Sequence, residues 1–156
     1  MRIAWRISEF ADLIGIGGEK ASGRWHTAQP GKRIIYLSEH PALSLLEGLA
    51  NLKGNPWFFP DTYQLIKIQI TDTISQQTFS PEHGEIGWRD SVDATRTYGD
   101  RWLAESPTCL LAVPSLVSPE STNYLLNPRH PEAPGVGIEW TRRIAYDKRL
   151  FKMARA

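Results

Sequence analysis

Residues 63–70 alternate between apolar and polar positions, and alternation with a period of two residues predicts a β-strand. Several other short apolar stretches are also predicted to be strands. The predicted strands cover residues 3–7, 24–27, 34–38, 63–70, 108–113, 123–128 and 138–144. The stretch at 108–113 is almost continuously apolar, which is typical of a strand buried on both faces. Strands are therefore predicted to outnumber helices.

One segment, directly after residue 38, has the period of an amphipathic helix instead. Ser38 is its predicted N-cap, and Pro41 falls in the first turn, where a missing N–H costs no hydrogen bond. The apolar stripe predicted to face the core contains Ala42, Leu45, Leu46, Leu49 and Leu52. Glu47 falls on the opposite side, so its carboxylate is predicted to face either solvent or a cleft. Gly54 and Pro56 are predicted to end the helix.

Two other segments predict irregular structure. The glycines at positions 15, 17, 18 and 23 lack the spacing of a dinucleotide-binding fingerprint and have no βαβ unit around them, so a flexible loop is expected. Residues 80–105 are predicted to form a loop with a short helix near residues 91–98. Since neither a repeat nor a long linker interrupts the 156 residues, a single domain spanning residues 1–156 is predicted.

Composition narrows the class of protein. Hydrophobic residues make up 41% of the chain, which supports a globular core, and the formal net charge of +1 is too small for a typical nucleic-acid-binding protein. The sequence contains neither a signal-peptide stretch nor a run of about 20 apolar residues, so no membrane association is expected. Cys109, the single cysteine, lies in an apolar run and is predicted to be buried. These features predict a cytoplasmic protein.

Common catalytic motifs do not match. The four histidines, at positions 26, 40, 83 and 130, share no metal-ligand spacing, so a zinc site is not expected. Ser115 lacks the glycine context of an α/β-hydrolase nucleophile. The sequence also has no helix-turn-helix pattern and no aromatic-basic signature for RNA binding.

A series of short motifs does point to a family. In chain order they are Trp5-Arg6-Ile7, Gly23-Arg24-Trp25-His26, Tyr36-Leu37-Ser38-Glu39, Leu45-Leu46-Glu47, Gly99-Asp100-Arg101-Trp102-Leu103, Val113-Pro114-Ser115, Tyr124-Leu125-Leu126-Asn127-Pro128-Arg129-His130-Pro131 and Tyr146-Asp147-Lys148-Arg149-Leu150-Phe151. Their order, spacing and identity resemble the RES domain, a family named for an arginine, a glutamate and a serine. His26 stands where members of the family usually have asparagine.

The resemblance implies an α+β fold similar to ADP-ribosyltransferases of the diphtheria-toxin type, with a split β-sheet core and flanking helices. It implies a toxin that uses NAD⁺ as its substrate, without a metal, and cleaves the nicotinamide–ribose bond by hydrolysis or phosphorolysis. It also implies an Xre-type helix-turn-helix antitoxin as partner, with a possible dimer inside the toxin–antitoxin complex. Two alternatives remain open, namely transfer of ADP-ribose to a macromolecule and a catalytically inactive antitoxin-binding module.

The resemblance assigns Arg24, Tyr36, Glu47 and Ser115 to catalysis, and the chemistry of NAD⁺ cleavage suggests what each could do. Nicotinamide leaves as a neutral molecule while positive charge develops on the ribose, so the most useful group is a fixed carboxylate, for which Glu47 is the candidate. The planar guanidinium of Arg24 suits the pyrophosphate. Tyr36 could stack on nicotinamide or donate its hydroxyl. Ser115 could bond substrate or orient Glu47.

Two further residues are weaker candidates. Asn127 is expected to contact NAD⁺ together with Arg24 and Tyr36, and Arg6 is a second polar candidate. Either Asn127 or Arg6 could equally satisfy backbone groups of the fold.

Overall fold

The computed structural model describes residues 1–51, 61–84 and 86–152, which form an α+β domain, as expected. Its strands are β1 (Arg2–Ser8), β2 (Ile35–Ser38), β3 (Gln64–Ile70), β4 (Gln76–Thr78), β5 (Leu110–Pro114), β6 (Thr122–Leu126) and β7 (Val136–Arg143). Its helices are α1 (Ile16–Lys20), α2 (Pro41–Asn51), α3 (Val92–Glu105) and α4 (Arg149–Lys152), with 3-10 turns at Pro81–His83, Trp88–Asp90 and Ala133–Gly135.

The strands form a sheet in the order β4-β5-β6-β2-β1-β3-β7. Neighbouring strands are antiparallel except β4 and β5, which are parallel. At the junction of β1 and β2, the register consists of one pair, Trp5 with Ser38. Pairing is continuous on either side of this junction. The sheet is therefore split into two halves, β4-β5-β6-β2 and β1-β3-β7.

Two buried clusters occupy opposite faces of the half that contains β2. One cluster joins both halves and contains Ala4, Ile35, Leu37, Ile66, Ile68, Ile70, Cys109, Leu110 and Leu126. The other packs against α3 and contains Trp25, Phe79, Trp88, Trp102, Leu111, Val113 and Leu125. The predicted burial of Cys109 is confirmed, since its exposed fraction is 0%. No helix within the described ranges has the length and apolar composition that a membrane crossing requires.

The predicted strand at residues 24–27 is wrong, because this segment has no strand pairing. Its backbone N–H groups find side-chain partners instead. The Trp25 N–H donates to the Tyr36 hydroxyl at 3.1 Å, and the Thr27 N–H donates to Asp100 Oδ1 at 2.8 Å. Side chains thus satisfy the donors that a neighbouring strand would otherwise accept.

The glycine-rich loop and the second helix also differ from prediction. Gly17 and Gly18 lie inside the short helix α1 instead of a flexible loop. Helix α3 extends to Glu105, well beyond the predicted residues 91–98, and begins at Ser91, whose Oγ accepts the Ala94 N–H at 3.1 Å. Because most residues of α3 are polar, no apolar stripe in the sequence marks its buried face. That face is formed by Thr95, Gly99, Trp102 and Leu103.

Helix α2 begins at Pro41, as predicted to within its first turn, but Ser38 is not its cap. Ser38 belongs to β2, and its hydroxyl donates to Asn123 Oδ1 at 2.9 Å. A ring nitrogen of His40 accepts the Ala42 N–H at the start of the helix, at 3.1 Å. The predicted helix end at Gly54 and Pro56, and the predicted core position Leu52, lie outside the described residues.

The face that α2 turns to the core is not the predicted apolar stripe. Leu43 and Ser44 are buried, whereas Leu46 is 40% exposed. Glu47 is half-buried and follows Leu43 by four residues, so it lies on the buried face rather than the opposite one. The predicted buried face of α2 was wrong because a carboxylate is normally excluded from a core, whereas here partners on the sheet donate hydrogen bonds to it.

Candidate active site

The carboxylate of Glu47 is anchored by one of its two oxygens. The Ser115 hydroxyl donates to Glu47 Oε1 at 2.6 Å, and the Asn123 side-chain amide donates to the same oxygen at 2.8 Å. Oε2 accepts no hydrogen bond from the described residues. A half-buried carboxylate with one fixed oxygen and one free oxygen can accept hydrogen bonds from a ligand without first reorganising.

Ser115 is completely buried, with an exposed fraction of 0%. It follows β5, and its Oγ accepts the backbone N–H groups of Val117 at 3.2 Å and Ser118 at 3.0 Å. These two bonds occupy the lone pairs of the hydroxyl and leave its hydrogen for Glu47. Of the two roles considered for Ser115, the geometry fits orientation of the carboxylate rather than contact with a ligand.

Tyr36 lies on the same face of the sheet as the partners of Glu47. Ser38 and Asn123 are paired across β2 and β6, so their side chains share a face. Tyr36 precedes Ser38 by two residues on β2 and therefore points to that face as well. The Cα atoms of Tyr36 and Ser38 are therefore about 7 Å apart.

The hydroxyl of Tyr36 makes two hydrogen bonds within the fold. It accepts the Trp25 N–H at 3.1 Å and lies 2.7 Å from His26 Nδ1. Nδ1 also accepts the Gly23 N–H, so the tyrosine is the donor in the second contact. Burial raises the pKa of Tyr36 far above its ordinary value, and the Trp25 bond offsets this only in part. Because the hydroxyl is already bonded within the fold, the ring is the part of Tyr36 that is left for a ligand.

His26 is 2% exposed and connects three segments of the chain. Its Nε2 lies 2.9 Å from the Gly18 carbonyl, so this nitrogen carries the proton and donates. Gly23 is constrained by the same network, because a Cβ at this position would lie 2.4 Å from the Tyr36 hydroxyl oxygen. The histidine that departs from the family pattern thus has a polar structural role.

Arg24 follows Gly23 and reaches towards the Trp88–Asp90 turn. Its Nη2 donates to the backbone carbonyls of Trp88, at 3.3 Å, and Arg89. Nε is buried and has no hydrogen-bond partner among residues 1–51, 61–84 and 86–152. Burial lowers the pKa of Arg24; Asp90 opposes this shift and the neighbouring Arg96 adds to it. The two carbonyls thus hold the Arg24 side chain against the Trp88–Asp90 turn.

Arg6 and Asn127 are not part of this group. Arg6 donates to the backbone carbonyl of Asp12 at 2.9 Å, and alternation along β1 turns it to the face opposite Trp5 and Ser38. Asn127 is 5% exposed, and its amide donates to Ser106 Oγ at 2.8 Å. It follows Asn123 by four residues along an extended strand, which separates the two by about 13 Å.

Two cavities and one cluster of metal-ligand atoms lie elsewhere in the described residues. A cavity of about 150 Å³ is lined by aromatic residues that include Phe79, Trp88 and Tyr98, and one of about 280 Å³ by residues that include Arg33, Ser106, Asn127 and Arg129. Neither contains Glu47. Cys109, His130 and Glu132 bring ligand atoms within 4.8 Å of one another, a proximity that the histidine spacing did not reveal.

Glu132 and His130 of this cluster already make hydrogen bonds within the fold. Glu132 Oε2 accepts two hydrogen bonds from Ser75, and His130 Nδ1 accepts the Glu132 N–H at 3.2 Å. Burial raises the pKa of the Cys109 thiol to about 11, with a further contribution from Glu132. We assign the cluster a structural role.

The sequence did not identify Asn123, which donates to Glu47, or Ser38, which donates to Asn123. Asn123 lies in a short polar-to-apolar strand, and no feature of that strand separates a ligand-facing amide from a solvated one. The available signal was the predicted pairing of residues 34–38 with residues 123–128, and its register becomes known only from the fold.

Comparisons with known proteins agree with this architecture. The RES domain family model matches residues 3–148. Toxin Res of Pseudomonas putida is 42% identical over 149 residues, covering 96% of this chain and 99% of that protein. The Prs ADP-ribosylating toxin of Sphingobium sp. is 34% identical over 161 residues, covering 96% of this chain and 97% of that protein.

A solved structure supports the fold independently. The crystal structure of the M. tuberculosis MbcT–MbcA toxin–antitoxin complex contains a chain that matches with a TM-score of 0.71 and 15% identity, over 99% of this chain and 88% of that one. At this identity the likeness concerns the fold alone. Since the family model covers almost the whole chain and the two relatives match along nearly their full length, this chain belongs to the RES domain family.

Proposed function

We propose that this protein is the toxin of a toxin–antitoxin system and that it cleaves the nicotinamide–ribose bond of NAD⁺, with Glu47 as the central catalytic residue. The observation that carries the proposal is the anchored carboxylate, which is held through Oε1 and whose Oε2 accepts no hydrogen bond from the part of the chain that the structure describes. Such a group can accept hydrogen bonds from the ribose hydroxyls and stabilise the positive charge that develops on the ring.

The reaction breaks the bond between the ribose anomeric carbon and the nicotinamide nitrogen. The bonding electron pair stays with nicotinamide, which leaves as a neutral molecule, so no general acid is needed. Attack by water on the anomeric carbon gives ADP-ribose and a proton. Attack by inorganic phosphate gives ADP-ribose phosphate instead. Either route needs the same carboxylate, because both pass through a cationic ribose.

Arg24 and Tyr36 are proposed to bind the rest of the substrate. Arg24 is half-buried, and its planar guanidinium can hold two oxygens at once, so it is suited to the pyrophosphate. Tyr36 offers a ring whose hydroxyl is occupied by Trp25 and His26, and we assign it to stacking on nicotinamide. Ser115 orients Glu47 from a buried position.

The partner proposed for this chain is an antitoxin of the Xre type. Support comes from the toxin names of the relatives and from the M. tuberculosis neighbour, whose structure is that of a toxin–antitoxin complex. We propose that antitoxin binding holds the activity in check. Co-expression with the neighbouring open reading frame, followed by affinity purification, tests this assignment.

The direct test incubates the purified, antitoxin-free chain with NAD⁺ and follows free nicotinamide by chromatography. Mass spectrometry of the products, with and without phosphate, separates ADP-ribose from ADP-ribose phosphate. Glu47→Gln is the test variant, and Glu120→Gln, an exposed glutamate in the β5–β6 loop, is its matched control. Failure of the wild-type chain to release nicotinamide in either buffer would contradict the proposal.

A second candidate, ADP-ribosyl transfer to a macromolecule, is favoured by the name of the Sphingobium relative, an ADP-ribosylating toxin. The bond broken and the role of Glu47 are the same, and only the nucleophile differs. Adenine-labelled NAD⁺ added with cell lysate distinguishes the two. Label that precipitates with protein or nucleic acid supports transfer, whereas label that remains soluble as ADP-ribose supports hydrolysis.

A further inference from the structure

We infer that Asn123 is a positioning residue for Glu47, fixing the rotation of the carboxylate so that Oε2 faces the substrate. This inference rests on the proposed role of Glu47. Two side chains form a continuous chain of hydrogen bonds to Glu47 Oε1: Ser38 Oγ donates to Asn123 Oδ1 at 2.9 Å, and Asn123 Nδ2 donates to Glu47 at 2.8 Å. Ser115 donates to the same oxygen from the neighbouring strand end.

One donor alone does not orient a carboxylate. With only the Ser115 bond, the group can turn about its χ3 angle, since torsions next to a planar terminal group have broad minima. A second donor on a different strand removes that freedom. Asn123 lies on β6 and pairs with Val113 of β5, which precedes Ser115 by two residues, so both donors rise from adjacent strands of one rigid sheet.

Ser38 supports the orientation of the Asn123 amide that Glu47 requires. An ionised carboxylate only accepts hydrogen bonds, so Nδ2 faces Glu47, and the Ser38 hydroxyl donates to the Oδ1 that faces it. Ser38 is 5% exposed and paired with Asn123 in the β2–β6 register, which holds the two side chains side by side. The side chain that the sequence suggested as a helix cap therefore orients the amide.

The position also requires a neutral donor. An aspartate has the shape of asparagine but would set a second carboxylate beside Glu47 Oε1, and two carboxylates this close cannot both be ionised. A proton would then be shared between them near neutral pH. The difference between an amide and an acid of equal size thus separates positioning by hydrogen bonding from simple space filling.

The experiment compares Asn123→Asp, Asn123→Ala and Ser38→Ala with the wild type. Thr122→Val is the matched control, because Thr122 precedes Asn123 on β6 and alternation turns it to the other face. Two readouts are used. One is kcat and KM for nicotinamide release across the pH range, and the other is the ¹³C-NMR titration of the Glu47 carboxyl carbon in the absence of NAD⁺.

Asn123→Ala is expected to lower kcat about 10²-fold with a smaller change in KM, because the carboxylate is no longer fixed near the ribose. Its NMR titration midpoint rises, since a donor to the charged form is lost. Asn123→Asp is expected to move the acid limb of kcat/KM and the NMR midpoint to higher pH by more than Asn123→Ala does. Ser38→Ala has the same sign and a smaller size, and Thr122→Val changes neither readout.

Unchanged titration midpoints in Asn123→Ala and Asn123→Asp, with folding verified by circular dichroism, would overturn the inference. A wild type that releases no nicotinamide contradicts the proposed function instead, and the NMR titration then decides the role of Asn123 without activity. If Asn123→Ala does not fold, the isosteric Asn123→Asp and the neighbouring Ser38→Ala carry the comparison. A fall in stability with no shift in either pH readout assigns Asn123 to structure alone.

Discussion

The Ser115 hydroxyl lies 2.6 Å from Glu47 Oε1, although 68 positions of the chain separate the two residues. The contact joins the end of β5 to the middle of α2, and Ser115 is fully buried. A short hydrogen bond to an ionised group is stronger than one between neutral partners. The contact therefore couples the stability of the fold to the orientation of the carboxylate.

Glu47→Gln is expected to reduce nicotinamide release about 10²–10³-fold, since the amide keeps the size of the side chain but removes the charge that opposes the cationic ribose. The unfolding midpoint in urea should change little by comparison. Chromatographic measurement of nicotinamide beside Glu120→Gln checks this prediction. Equal rates in the two variants would contradict the role of Glu47.

Ser115→Ala is expected to lower both stability and activity. The substitution leaves the N–H groups of Val117 and Ser118 and the Glu47 oxygen without their buried partner, at a cost of about 1–3 kcal/mol in the free energy of unfolding. Activity should fall less than in Glu47→Gln, because Asn123 still holds Oε1. Urea unfolding and nicotinamide release on the same preparation measure both effects. Full activity at reduced stability would show that Ser115 is only structural.

Tyr36→Phe and Tyr36→Ala separate the ring from the hydroxyl. Loss of the hydroxyl leaves the Trp25 N–H without its acceptor and removes one of the two donors to His26 Nδ1, so Tyr36→Phe should cost about 1–3 kcal/mol of stability. Its KM for NAD⁺ should stay near the wild-type value, since the ring remains. Tyr36→Ala should raise KM strongly. A raised KM in Tyr36→Phe would instead indicate that the hydroxyl contacts the substrate.

Gly99→Ala should destabilise the protein by about 3 kcal/mol or more, because the added Cβ would lie 1.7 Å from the Trp25 carbonyl oxygen. The contact is with backbone, which cannot move aside as a flexible side chain could. Gly137→Ala on β7 is the control, since nothing lies within 4 Å of its added Cβ. Thermal unfolding followed by circular dichroism compares the two. Similar unfolding temperatures would show that α3 does not pack this closely on Trp25.

Stability should fall as the pH rises above about 9, through the titration of Cys109. Burial raises the pKa of its thiol from 9.0 to about 11 in the folded protein, so above pH 9 the unfolded chain releases a proton that the folded chain retains. Proton release therefore favours unfolding between these two values. Urea midpoints at about pH 8 and pH 10 should differ more in the wild type than in Cys109→Ala. Equal differences would contradict this source of pH dependence.

Much of the framework could be predicted from the sequence. Alternation identified β3, and the apolar run ending at Pro114 identified the buried strand β5, because local patterns report which face of an element is buried. Short apolar stretches identified β1, β2, β6 and β7. Prediction failed where partners are distant in the chain. The backbone N–H groups of Trp25 and Thr27 donate to side chains on β2 and α3 instead of to a neighbouring strand. No local sequence pattern predicts these partners.

The candidate site divides in the same way. The sequence by itself determined the family through its spaced motifs, and with it the candidates Arg24, Tyr36, Glu47 and Ser115. Tertiary structure alone decided that Glu47 lies on the buried face of α2, that Asn123 shares its oxygen with Ser115, and that Asn127 lies apart. The physical reason is that a buried charge is tolerated only where donors from other elements meet it, and strand register determines where they meet.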